Sequence, residues 1–139
     1  MRYIIVLFTF GLLFTACSSK VAEISMINQE PCKEQLKLDA QNKFYGETVN
    51  NFTLNNQSGV ILANMDVRTY CDAKLAFKID KQDKVVKIKV MNTNSSRPDC
   101  VCLLNVQTAI KNLPSGDYSF MVTNEGGDKL LAEQKLSIK

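Results

Sequence analysis

Between Lys74 and Val90 the chain repeats with a period of two. Leu75, Phe77 and Ile79 alternate with Lys74, Ala76 and Lys78, and after the polar run DKQDK at 80–84, Val86, Ile88 and Val90 alternate with Lys87 and Lys89. Successive side chains of a strand point to opposite faces, so this spacing puts every large apolar side chain on one face and the lysines on the other. A helix of 3.6 residues per turn would scatter the same residues around its circumference. The pattern therefore predicts a β-hairpin with one face on a core and one in water, the lysine rows being a solvated face that also discourages edge pairing.

The same period recurs. Leu36, Leu38 and Ala40 alternate with Lys37 and Asp39, which favours a strand, although Leu36, Ala40 and Phe44 also fit a helical i, i+4 stripe; Val49, Phe52 and Leu54 mark a short strand inside the Asn-rich stretch 46–58; Gly59 opens VILAN. Cys102, Leu104, Val106, Thr108 and Ile110 share one parity, as do Tyr118, Phe120 and Val122. Turn formers sit at Leu113–Gly116 and Gly126–Gly127, and Leu130 to Ile138 reads as a final strand with a bulge near Gln134. Seven or eight short strands at 8–12-residue spacing predict an all-β sandwich or barrel.

The N-terminus carries a different signal. Arg2 is followed by an 11-residue apolar run, Ile4–Phe14, broken only by Thr9 and Gly11, and then by Thr15, Ala16 and Cys17. A spanning helix needs about 20 residues, so the run has the length of a signal-peptide core instead. Ala16 before Cys17 resembles a lipobox, with Phe14 where Leu is usual. The expectation is a cleaved leader at 1–16, a lipid on Cys17, a lipidated tether over 17–30 with a short strand around Val21–Met26, and a sandwich domain over 31–139.

Cysteine parity points the same way. The chain has five cysteines, and assigning Cys17 to lipid leaves Cys32, Cys71, Cys100 and Cys102, an even set able to pair in an oxidising envelope compartment. Cys100 and Cys102 are two apart, with Cα atoms about 6.5 Å from each other on an extended strand, which makes a bridge between them awkward. Four cysteines allow three connectivities; the favoured scheme joins Cys71 to one member of the C-x-C pair and Cys32 to the other. The alternative use of Cys100 and Cys102 is soft-metal handling as thiolates. Against it stand the absence of His and the isolation of Met91 and Met121.

Cys71, the C-x-C at 100–102, Ile110, Leu113, Gly116 and Tyr118 together resemble a group of small Bacteroidetes-type envelope lipoproteins of uncharacterised function. The resemblance spans about 55 residues, under half of the mature chain; members often carry more cysteines at both clusters. It implies an antiparallel immunoglobulin-like sandwich of about seven strands and no activity.

Composition narrows function by exclusion. With no His there is no His triad, His general base or His metal ligand, and with no Trp the strongest stacking platform is missing. Net charge is +3, or +2 without Arg2, too weak and evenly spread for a nucleic-acid footprint. Carboxylates such as Asp66 and Asp72, or Asp80 and Asp83, have no sequence signal pairing them as catalysts.

The expectation is a non-enzymatic envelope module without cofactor. It is held to a membrane through Cys17 (the periplasmic face of an outer membrane, because Ser18-Ser19-Lys20 lacks an acidic run) and binds a protein or glycan partner through loops at one end. An alternative is an inhibitor of a host or competitor protease or lysozyme, with the loop 92–99 (NTNSSRPD) as its contact.

Overall fold

The computed structural model describes residues 20–38, 43–96 and 98–139. The leader and Cys17 lie outside the described residues. Nine strands form among them: β1 Glu23–Gln29, β2 Glu34–Lys37, β3 Thr48–Gln57, β4 Val60–Tyr70, β5 Leu75–Gln82, β6 Val85–Asn92, β7 Cys100–Lys111, β8 Gly116–Thr123 and β9 Leu130–Ile138. They make the β-sandwich that the alternation predicts.

One sheet runs β1-β7-β4-β3, with β2 continuing alongside β7 beyond β1; the other runs β5-β6-β8-β9. All pairings are antiparallel except β6 with β8, where Val85–Lys89 runs parallel to Ser119–Thr123. A parallel pair needs a crossover connection. Here β7 is that connection: the chain leaves β6, crosses to the other sheet, and returns as β8.

Parity along the strands builds the core. Ile61, Ala63, Met65 and Val67 of β4 and Leu104, Val106 and Ile110 of β7 face Val86, Ile88 and Val90 of β6 and Tyr118, Phe120 and Val122 of β8, all of them buried. Each Val, Leu, Ile, Met or Phe among them contributes about 1.5–3 kcal/mol on leaving water. Edge strands approach each other on both flanks, β3 with β9 and β1 with β5, which closes the sandwich. Three inward hydroxyls, on Thr69, Thr108 and Thr123, are buried without a hydrogen-bond partner.

The turns explain themselves locally. Ser58 and Gly59 both take positive φ, 52° and 82°, as a two-residue β-hairpin turn matched to strand twist requires. Asn56 Oδ1 accepts from Gly59 N at 3.2 Å. The β5–β6 strands extend to Gln82 and Val85, so the turn narrows from the expected 80–84 to Asp83–Lys84.

The short strand expected around Val21–Met26 is present as β1, shifted to Glu23–Gln29, and Ile24 pairs with Ile110, so the sheet takes in part of the segment read as tether. Its apolar alternation is weak because an edge strand is half exposed: Met26 and Ile27 meet solvent, with a bulge between Met26 and Asn28. The bulge expected near Gln134 falls instead between Val122 and Thr123, opposite Leu131, while Gln134 keeps register with Phe120.

Candidate functional site

The four cysteines gather at one end of the sandwich. Cys71 follows β4 and stands opposite Cys100, with Cys71 N donating to Cys100 O at 3.2 Å. Their sulfurs are joined, with Cα atoms 5.7 Å apart. Cys102, two residues on, faces the same side and is joined to Cys32, with Cα atoms 5.6 Å apart. This is the favoured pairing scheme. The side-chain amide of Gln35 in β2 donates to Cys71 Sγ at 3.4 Å and to Cys100 Sγ at 3.3 Å, so β2 is tied to the bridge it passes. Pro31, which has no N–H to give to a ladder, falls between β1 and β2, and the Cys32–Cys102 bond fastens the chain there. With both C-x-C sulfurs in disulfides, the soft-metal reading has no thiolate to work with. Among the described residues no group of three or more His, Cys, Asp or Glu could hold a metal ion.

The loop after β6 is pinned to the same end. Asn92 Oδ1 accepts from Lys74 N at 3.1 Å and from Asn94 N at 3.0 Å. Thr93 donates twice to Lys74 O, from N at 2.8 Å and from Oγ1 at 3.0 Å. Asn94 Nδ2 donates to Asp72 O at 2.9 Å and Asp72 Oδ2 at 3.2 Å, and Asn94 Oδ1 accepts from Ser96 N at 3.1 Å. Short Asn and Thr side chains compete well for nearby backbone groups, which is why this composition gives a fixed loop. The Asp72–Lys74 turn that receives these bonds starts at the Cys71–Cys100 bridge.

Beside this loop lies a cleft of about 310 Å³ lined by Glu47, Tyr70, Val90, Asn92, Asn94, Ser95, Ser96 and Glu125. Its lining is amide, hydroxyl and carboxylate around one aromatic ring. A second groove, about 380 Å³, lies next to it and is lined by Leu36, Leu38, Lys43, Phe44, Tyr45, Gly46, Thr48, Arg68, Val101 and Lys129. Tyr70 of the cleft and Phe44 of the groove meet edge to face, with ring centroids 4.7 Å apart, so the two depressions share a wall. Tyr45 is 84% exposed. One depression carries two carboxylates and the other three cations, around apolar and aromatic surface.

The other carboxylates singled out in the sequence do not converge. Asp66 stands in the middle of the outer face of the larger sheet, accepting from Asn105 Nδ2 at 2.8 Å and from Asn51 Nδ2 at 2.6 Å. These bonds, first Asn105 and then Asn51, hold its carboxyl below the ordinary carboxylate range, with Lys33 adding a smaller pull the same way. Beside it Gln107 Nε2 donates to Asn64 Oδ1 at 2.8 Å, making a ladder of paired polar side chains across β4 and β7. Asp72 belongs to the turn at the disulfide end, and Asp80 and Asp83 to the opposite end of the other sheet. Sequence reading picked out the loop 92–99. It missed Glu47, Tyr70 and Glu125, which no local motif links because they come from three distant elements.

Among the described residues no helix is long and apolar enough to cross a membrane. Comparison with protein-family models, curated proteins and solved structures finds no match for this chain.

Proposed function

We propose that this chain is a lipid-anchored cell-envelope module, held to a membrane through Cys17, that binds a protein or glycan partner without catalysis. One observation carries the reading: a polar cleft walled by the pinned loop 92–96, at the end of the sandwich opposite the one where the chain enters β1. A loop fixed before binding loses little conformational freedom on contact, which favours recognition. The leader pattern, the even set of four bridged cysteines and the likeness to envelope lipoproteins support the anchor and the compartment; the periplasmic face of an outer membrane is the proposed address. Hydrogen-bonding groups around Tyr70 suit a glycan or an extended peptide.

The test is affinity capture from envelope extract with the full lipidated protein and with Ser95→Trp, which fills the cleft. The expected result is a reproducible partner that the variant loses. Equal recovery by both proteins, or hydrolytic activity in the purified protein, would refute the reading.

The rigidity of the same loop favours a second reading, an inhibitor of a host or competitor protease or lysozyme. Inhibitory loops act by presenting a preformed shape. Failure to inhibit a panel of such enzymes at micromolar concentration would remove it.

A further inference from the structure

The end of the sandwich away from the disulfides is built from the start of β1, the β5–β6 turn and the loop between β7 and β8. Glu23 pairs with Lys111, the last residue of β7. Asn112 Nδ2 donates to Val21 O at 3.1 Å, and Ser119 N donates to Lys84 O at 2.9 Å. Glu23 is six positions beyond Cys17, a reach of at most about 20 Å even fully extended. Strand β7, with 12 residues, spans about 40 Å at about 3.3 Å per residue. A lipid on Cys17 therefore keeps this end, and not the disulfide end, beside the bilayer.

The chemistry of the end suits that neighbour. One depression of about 270 Å³ includes Lys20, Val21 and Lys81 in its lining. Another, about 500 Å³ and mostly apolar, has Lys84 and Lys135 on its walls with Tyr118 and Leu136. Across both linings four lysines face one acid, Asp117. Lys84 lies 4.8 Å from the centre of the Tyr118 ring, close to Gly116, where a Cβ would collide with the ammonium group. Val21 is 78% exposed. Surface charge is felt only within about 8 Å at physiological salt, so the lysines at this end, which the tether lets touch the surface, can sense the negative potential of anionic lipids, and charges at the far end cannot.

We infer that this end is a docking surface for anionic phospholipid headgroups: Lys20 with Lys81, and Lys84 with Lys135, each receive a lipid phosphate, and Val21 enters the headgroup layer. The inference rests on the anchoring of Cys17 proposed above. It fixes how the domain stands: the disulfide end, with its cleft, points away from the membrane.

The experiment is amide hydrogen exchange on the full lipidated protein in two vesicle types, pure phosphatidylcholine and phosphatidylcholine with one-quarter phosphatidylglycerol. Exchange at 20–22, 83–84 and 112–115 should slow by about threefold or more in the anionic vesicles. Exchange at 93–96 should be equal in the two. Reversing the four lysines (K20E, K81E, K84E and K135E together) should erase the difference, with unchanged protection of β4 and β7 reporting an intact fold. The mass of the N-terminal peptide reads the anchor separately. An unmodified Cys17 would defeat the anchoring reading and this one with it. A lipidated Cys17 with equal exchange in both vesicles, or with slowing at β1 and the outer face of the larger sheet instead, would overturn the docking surface alone.

Discussion

The two ends of this sandwich are built from the same strands and solved differently. At one end, two disulfides and a run of Asn and Thr side chains fix the β1–β2 junction, the β4–β5 turn and residues 92–96 after β6, beside a polar cleft. At the other end, among the described residues, there is no covalent link between strands; two-residue turns and a short Pro-containing loop join them, and lysines line the surface. A rigid end suits recognition of a particular partner. An end lined by lysines suits a charged surface such as a headgroup layer, where charge matters more than a matched shape. Under the proposed reading, the disulfides and side-chain bonds lie at the end where a partner's shape would be matched and are missing, among the described residues, at the end where charge would suffice.

Removing the covalent links is the strongest way to break the comparison. Paired replacement of Cys71 and Cys100 by Ser, or of Cys32 and Cys102, should lower unfolding free energy by about 3–5 kcal/mol each, read by denaturant titration. The second pair should cost slightly more, because its closed segment is longer, a separation of 70 against 29. Exchange should quicken first at 71–74 and 92–96; faster exchange at the lysine end instead would contradict the assignment of rigidity.

Asn94→Ala removes the bonds to Asp72 and the cap on Ser96. The expected loss is about 1–2 kcal/mol, with loosening confined to 72–74 and 92–96. Thr108→Val lies between the two ends and acts in the opposite direction. It replaces a buried hydroxyl that has no partner with a methyl group of the same shape, so thermal unfolding should move up, by about 1 kcal/mol of stability. Both ends should exchange as before.

The smallest effect concerns Asp66. Its carboxyl is held below the ordinary range when folded, so it contributes stability above the unfolded value of about 3.9, lost as pH falls through the lower folded value. Asp66→Asn should flatten stability between about pH 4 and the lowered folded value. The change should stay below about 0.5 kcal/mol, because the group is largely in water and screened. A larger change would mean that the polar ladder on this face bears structural load.

What could be read in the sequence follows from how each part is built. The hairpin 75–90 and the inward parity of β7 were legible because both have one dry face and one wet face, and the period of two records this directly. Strand geometry favoured pairing Cys71 and Cys32 with separate members of the C-x-C pair, but which member takes which partner could not be read and is set by the fold. Strand β1 was legible only as a short, weakly patterned strand around Val21–Met26, and its bounds were blurred because an edge position buries only part of one face. The parallel β6–β8 pair could not be read, since it depends on β7 crossing between sheets and leaves no local trace. The cleft was half legible: its Asn-rich loop stood out, whereas Glu47, Tyr70 and Glu125 meet it only through the fold. The groove beside it depends in the same way on Phe44 packing against Tyr70.

The claim that the disulfide end recognises a partner while the lysine end meets the membrane is most directly tested by light-driven cross-linking in intact envelopes. A benzophenone side chain would be placed in turn at position 95, in the cleft, and at position 115, in the loop between β7 and β8. The account predicts protein or glycan adducts from position 95 and phospholipid adducts from position 115. Phospholipid adducts from position 95, with the partner captured at position 115, would contradict it.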